Sequence, residues 1–87
     1  MLGFDPALLG AIAERVGTPC YVYGANLIRA QYHALGDALR DVRHRICYSV
    51  KANGNLAILG LLRGLGAGVD IVSSGELARA LAAGFKG

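Results

Sequence analysis

From Ile46 onward the chain alternates β-forming and helix-forming stretches joined by very short turns, and that order leaves few ways to fold. Ile46 to Val50 is an apolar run of strand length, and Asn53-Gly54-Asn55 follows with turn residues and an N-cap. Leu56, Ile58, Leu59, Leu62 and Leu65 then recur at helical spacing up to Gly66. Val69 to Val72 forms the next strand-like run. Ser73 and Glu76 stand at capping-box spacing ahead of Leu77, Ala80 and Leu81, and Gly84 closes that helix. Strand, helix, strand, helix with short loops is the pattern of a parallel sheet with right-handed crossovers, so the fold class is α/β. Two such units cannot close a barrel, which needs eight and about 250 residues. The chain is therefore expected to be the N-terminal portion of a larger α/β protein.

Upstream, Asp5 caps and Pro6 opens a helix carrying Leu8, Leu9, Ile12 and Val16, which Gly17 ends. Cys20 to Tyr23 reads as a short strand after the Thr18-Pro19 break. Asn26 is a plausible N-cap for a long amphipathic helix whose apolar face runs through Leu27, Ile28, Leu35, Leu39 and Val42. Asp41 to Arg45 is its frayed end and a loop, with His44 a solvated loop residue.

Composition narrows the class. In a chain of 87 residues that is 54% hydrophobic, much apolar surface is expected to stay exposed if the chain stands alone. No run approaches the ~18 apolar residues of a membrane span, and no signal-peptide pattern opens the chain, so a cytoplasmic location is expected. The net charge of +3 comes from Arg40, Arg43 and Arg45 and from scattered single residues, without aromatic platforms. That argues against a nucleic-acid partner. Cys20 and Cys47 match neither a zinc nor a redox pattern and are expected to be buried thiols in a reducing compartment. No metal site is expected.

Three residues carry candidate chemistry. Lys51 falls at the carboxyl end of the Ile46 strand, the edge where α/β proteins bind ligands. Strand alternation would put Cys47, Ser49 and Lys51 on one face. A partly desolvated lysine has its charged form disfavoured, and its amine can then form a Schiff base with an aldehyde cofactor. A lysine that simply snorkels to water fits the position as well. Asp70, inside Val69 to Val72, needs a cation or hydrogen-bond donors unless it lies near solvent, and pairing with Lys51 is open to it. Glu76 has two readings, a ligand contact or the capping box with Ser73. Ser73 to Gly75 could also present backbone N–H groups to an anion. Phosphate-loop and dinucleotide motifs are absent.

Three segments in order, Thr18 to Tyr23, Tyr48 to Asn53 and Gly66 to Leu77, make the chain resemble the amino-terminal part of the fold type III pyridoxal-phosphate decarboxylases. The resemblance implies a PLP-binding (β/α)8 TIM-type barrel, begun at the Ile46 strand. Residues 1–24 would be a helix and a strand that joins a carboxy-terminal β-domain, and residues 25–87 the first part of the barrel domain. It implies pyridoxal 5'-phosphate as cofactor, attached to Lys51, with Asp70 and Glu76 in acidic positions around it. It further implies a small-molecule amino-acid substrate and a homodimer. The nearest branch converts meso-diaminopimelate to L-lysine and carbon dioxide; ornithine, arginine and carboxynorspermidine decarboxylation, or a non-catalytic PLP-binding relative, are the alternatives. Ser49 stands where the family usually has Ala, and Ser74 where that branch usually has Gly. Phosphate-binding and substrate-selecting residues are expected beyond residue 87, so this chain alone is expected to be inactive.

Overall fold

A computed structural model describes residues 4–87. Helix α1 spans Pro6–Val16 and α2 spans Ala25–Ala38. Strand β1 (Cys47–Ser49) runs into a single 3-10 turn at Val50–Ala52, and α3 (Leu56–Leu65), β2 (Gly68–Asp70) and α4 (Ser74–Ala82) follow. β1 and β2 pair in parallel, with Cys47 opposite Gly68, Tyr48 opposite Val69 and Ser49 opposite Asp70. The alternation therefore folds as its order predicts, with α3 as the crossover.

Local chemistry explains most of the boundaries. The Asp5 carboxylate accepts from the Ala7 amide and Pro6 starts α1, because proline's fixed φ and missing N–H cost nothing at a helix's first position. Asn55 caps α3 by accepting from the amides of Ala57 and Ile58 at 2.9 and 3.3 Å. Gly66, at φ +100°, closes that helix in the left-handed region that a Cβ disfavours. Replacing Asn55 with Ala strands both amides, so the expected loss is about 1 kcal/mol, measured as a lower urea midpoint.

α3 packs against both α2 and α4. Its residues Ile58, Leu59 and Leu62 form the core with Val50, Ala67 and Ala80; Leu59 is 0% exposed. Tyr48, Ile28, Tyr32 and Leu65 pack around the Ile58, Leu62 and Ala67 cluster. Tyr48 and Val69, paired in register, share one face of the sheet, while Ser49 and Asp70 share the other.

Several expectations need correction. Cys20 to Tyr23 forms no strand within this chain: it pairs with nothing among the described residues, and Tyr21 is 90% exposed and stacks on Tyr23. β propensity makes a strand only where a partner supplies the ladder. α2 starts from Gly24 instead of Asn26, whose side chain accepts from Arg29 at 2.9 Å, and it ends at Ala38 before reaching Val42. β2 starts at Gly68, not Val69, and ends at Asp70, leaving Val72 72% exposed. β1 correspondingly stops at Ser49, since a two-stranded ladder reaches only as far as both members do. Cys20 and Cys47 are exposed rather than buried.

The apolar surface expected from composition is there. Val16, Val42, Leu81 and Leu8 are each more than half exposed. The radius of gyration is 15.1 Å, against about 12 Å for a compact domain of this length. α1 buries none of its residues.

Candidate functional site

Because β1 and β2 are parallel, Ser49 and Asp70 end them on the same edge, and the segments 50–55 and 71–73 emerge there side by side. Lys51 occupies the middle of the 3-10 turn that begins this edge. Val50, 2% exposed, sinks the start of the turn into the core. The Tyr48 hydroxyl donates to the Asn53 carbonyl at 3.0 Å, and Asn53 Oδ1 accepts from the Asn55 amide at 3.0 Å. From α4, Arg79 donates to the Gly54 carbonyl at 3.2 Å.

Lys51 itself lies two residues past the end of the strand and is exposed, so strand alternation does not set its direction and the described residues do not desolvate it. Among these residues none hydrogen-bonds to or pairs with its amine. Asp70 ends β2 and is exposed, which removes the need for a buried counter-charge. Its carboxylate is met by Ser49, whose Oγ donates at 3.5 Å, and not by Lys51. The hydroxyl noted as unusual in the sequence is thus the one facing the acid across the ladder.

Glu76 is committed to the helix end. Its Oε2 accepts from Ser73 Oγ at 3.1 Å and its Oε1 from the Val72 amide at 3.2 Å, while Ser73 Oγ accepts from the Glu76 amide at 3.2 Å. This is a capping box in which the glutamate reaches one residue further back than the cap. It also places a negative charge at the positive end of the α4 dipole, where an external anion would otherwise be drawn.

Lys51, Asp70 and Glu76 therefore share one edge without converging on one cavity. An open cleft of about 530 Å³ at this edge is lined by Asn53, Gly54, Ser73, Glu76 and Arg79, and neither Lys51 nor Asp70 reaches into it. Sequence reasoning missed Tyr48 and Arg79, the residues that grip the Lys51 loop. Arg79 gave no local signal, because its contact with Gly54 crosses 25 positions. Tyr48 sits five residues before its acceptor, at a spacing that only the 3-10 turn makes close.

Tyr48 links this site to pH. Burial raises its phenol above the ordinary value of 10.0; the Asn53 hydrogen bond opposes that rise and the nearby Tyr23 adds to it. A group with a raised folded pKa stabilises the fold fully below its unfolded pKa, and that contribution is lost as pH rises through the folded value. The urea midpoint is therefore expected to fall above about pH 10, and Tyr48→Phe, which cannot ionise, should flatten that fall.

The residues fit a cofactor that carries an aldehyde. What such a group needs from a protein is a primary amine that is accessible and held by a defined backbone, and Lys51 meets both conditions. Among the described residues no group of three or more His, Cys, Asp or Glu side chains is placed to hold a metal ion.

Comparison with known proteins bears on the same residues. Residues 25–87 match the family model described as pyridoxal-dependent decarboxylase, pyridoxal binding domain. Diaminopimelate decarboxylases from Pseudomonas fluorescens and Pseudomonas aeruginosa are each 59% identical over 76 residues, which are 87% of this chain and 18% of those proteins. The chain thus spans under a fifth of the length of these curated relatives. Among solved structures, the diaminopimelate decarboxylase of M. jannaschii in complex with L-lysine superposes with a TM-score of 0.80 at 38% identity, covering 84% of this chain and 18% of that one. A structure from Aquifex aeolicus gives 0.80 at 49% identity, covering 87% and 19%.

Proposed function

Because the chain belongs to the pyridoxal-dependent decarboxylases, matching their pyridoxal-binding domain over residues 25–87, we propose that it supplies the cofactor-holding lysine, Lys51, of an enzyme that converts meso-diaminopimelate to L-lysine and carbon dioxide. The observation that carries this reading is the position of Lys51: an accessible amine on an anchored turn at the carboxyl edge of a parallel strand pair. Diaminopimelate is favoured over ornithine, arginine or carboxynorspermidine by relatives of that name at 45 to 59% identity.

Lys51 would hold pyridoxal 5'-phosphate through Nζ. When bound, that group supplies an electron-accepting ring for the carbon–carbon bond that breaks as carboxylate leaves as carbon dioxide. Freed from the cofactor, Lys51 Nζ can also carry a proton at this edge. Asp70, oriented by Ser49, offers a carboxylate at the same edge to accept hydrogen bonds from an ammonium group. Glu76 keeps the α4 end in shape, and its charge adds to the acidic side of the site.

The same reading takes residues 25–87 as the opening of a (β/α)8 barrel and residues 1–24 as a helix and a segment that pairs within a separate β-domain. It includes a homodimer and a cytoplasmic setting; no helix among the described residues is long and apolar enough to cross a membrane. The test is borohydride reduction of the enzyme that carries this chain, purified with pyridoxal 5'-phosphate, followed by peptide mapping, alongside its carbon dioxide release from each candidate amino acid. The adduct is expected on Lys51. An adduct only on Lys86, or none, would sink the assignment of Lys51.

A further inference from the structure

We propose that Arg79 is a positioning residue for Lys51, acting by gripping the loop that carries it; the inference rests on Lys51 being the cofactor-holding amine. Arg79 lies one helical turn beyond Glu76 on α4 and has no carboxylate partner among the described residues. Its guanidinium donates to the Gly54 carbonyl at 3.2 Å. Its stem lies directly on Gly54, so close that a Cβ there would stand 3.0 Å from Arg79 Cδ and 3.5 Å from Nε. Gly54 is therefore a point of close contact between the Lys51 loop and α4, and a side chain there would push them apart.

The grip has a second jaw. The carbonyl one residue earlier, that of Asn53, accepts from Tyr48, which is rooted in β1 and packed against the α3 core. Two successive carbonyls are thus held by donors from two different elements, and Val50 is locked in the core on the other side. Lys51 and Ala52 are the span between these anchors, both exposed. The backbone of Lys51 is fixed while its amine stays accessible, which is what repeated delivery of one nitrogen to one carbonyl carbon demands. A hydrogen bond from a charged donor is about twice as strong as a neutral one, and loss of alignment by about 1 Å can slow a reaction up to 10²-fold. For a solvent-exposed grip a smaller effect is expected.

The test compares the parent with Arg79→Met, which keeps the stem over Gly54 but removes the donors, and with Arg79→Lys, which keeps one donor. Each protein is treated with pyridoxal 5'-phosphate and cyanoborohydride, and the rate of adduct formation at Lys51 is read against Lys86 in the same sample. Amide hydrogen exchange over residues 51–55 is followed in parallel. Arg79→Met is expected to lower the Lys51 to Lys86 ratio about three- to tenfold and to speed exchange in the loop; Arg79→Lys should recover much of both. An unchanged ratio in Arg79→Met overturns the proposal, and faster exchange with an unchanged ratio does so too, because Arg79 would then support the fold and not the amine. No adduct at Lys51 in the parent overturns the functional reading itself, a result separable from failure of the variant.

Discussion

On the function proposed above, Lys51→Ala is expected to abolish the reducible adduct with pyridoxal 5'-phosphate and, in the enzyme that carries this chain, to lower decarboxylation on the order of 10³-fold or more, while leaving stability within about 0.5 kcal/mol. The two halves of that expectation have different origins. The amine is the only chemically distinctive part of the side chain, and it is exposed and unpaired among the described residues. The turn that holds it is anchored by other groups: buried Val50, the Tyr48 hydroxyl and the Arg79 guanidinium. Removing the amine therefore takes away the proposed nucleophile without disturbing the anchors of its turn. Lys51→Arg sharpens the result. It retains a cation at the same point, but a guanidinium stays protonated and cannot attack a carbonyl. If Lys51 served only as a positive charge, Arg would preserve function. The expected outcome is that Arg fails as completely as Ala, read by absorbance of the bound cofactor and by carbon dioxide release.

The largest expected effect on stability is at Leu59. Leu59→Ala should cost about 3 to 5 kcal/mol, because the side chain is 0% exposed in a core of six buried residues and its removal leaves a cavity as well as lost burial. In a small domain that is comparable with the entire stability of a single core. Loss of a cooperative urea transition is the expected observation. Leu81→Ala is the control: at 55% exposure its side chain already meets water, and a change within about 0.5 kcal/mol is expected. Equal losses at both positions would mean that Leu81 is buried in solution by something packed on α4.

The features legible in the sequence are those decided over a few residues. The caps at Asp5, Asn55 and Ser73, the left-handed stop at Gly66 and the order of strands and helices follow from short-range hydrogen bonding and from periodicity, and all were legible. Glu76 shows the same at the site: its spacing from Ser73 already offered the capping box, and the carboxylate is spent there. One expectation failed where a distant partner decides: Cys20 to Tyr23 has strand propensity and no partner strand among the described residues. Another failed locally, because α2 starts from Gly24 and Asn26, already inside the helix, accepts from Arg29 three residues on.

The sequence by itself determined that a lysine would stand where a strand gives way to a turn, and that two acids would follow on the next unit. It did so because strand length, turn residues and helix caps are local chemistry, written within a handful of neighbouring positions. Only the tertiary structure decided that β1 ends at Ser49 and leaves Lys51 in a 3-10 turn, that Ser49 rather than Lys51 meets Asp70, and that Arg79 reaches back to Gly54. Those outcomes depend on register and packing between segments some twenty or more residues apart, where the pairing energy is set by geometry that no single stretch of chain contains. Lys51 was thus visible in the sequence as the candidate amine, and the contact of Arg79 with its loop came into view only when α4 was seen folded against that loop.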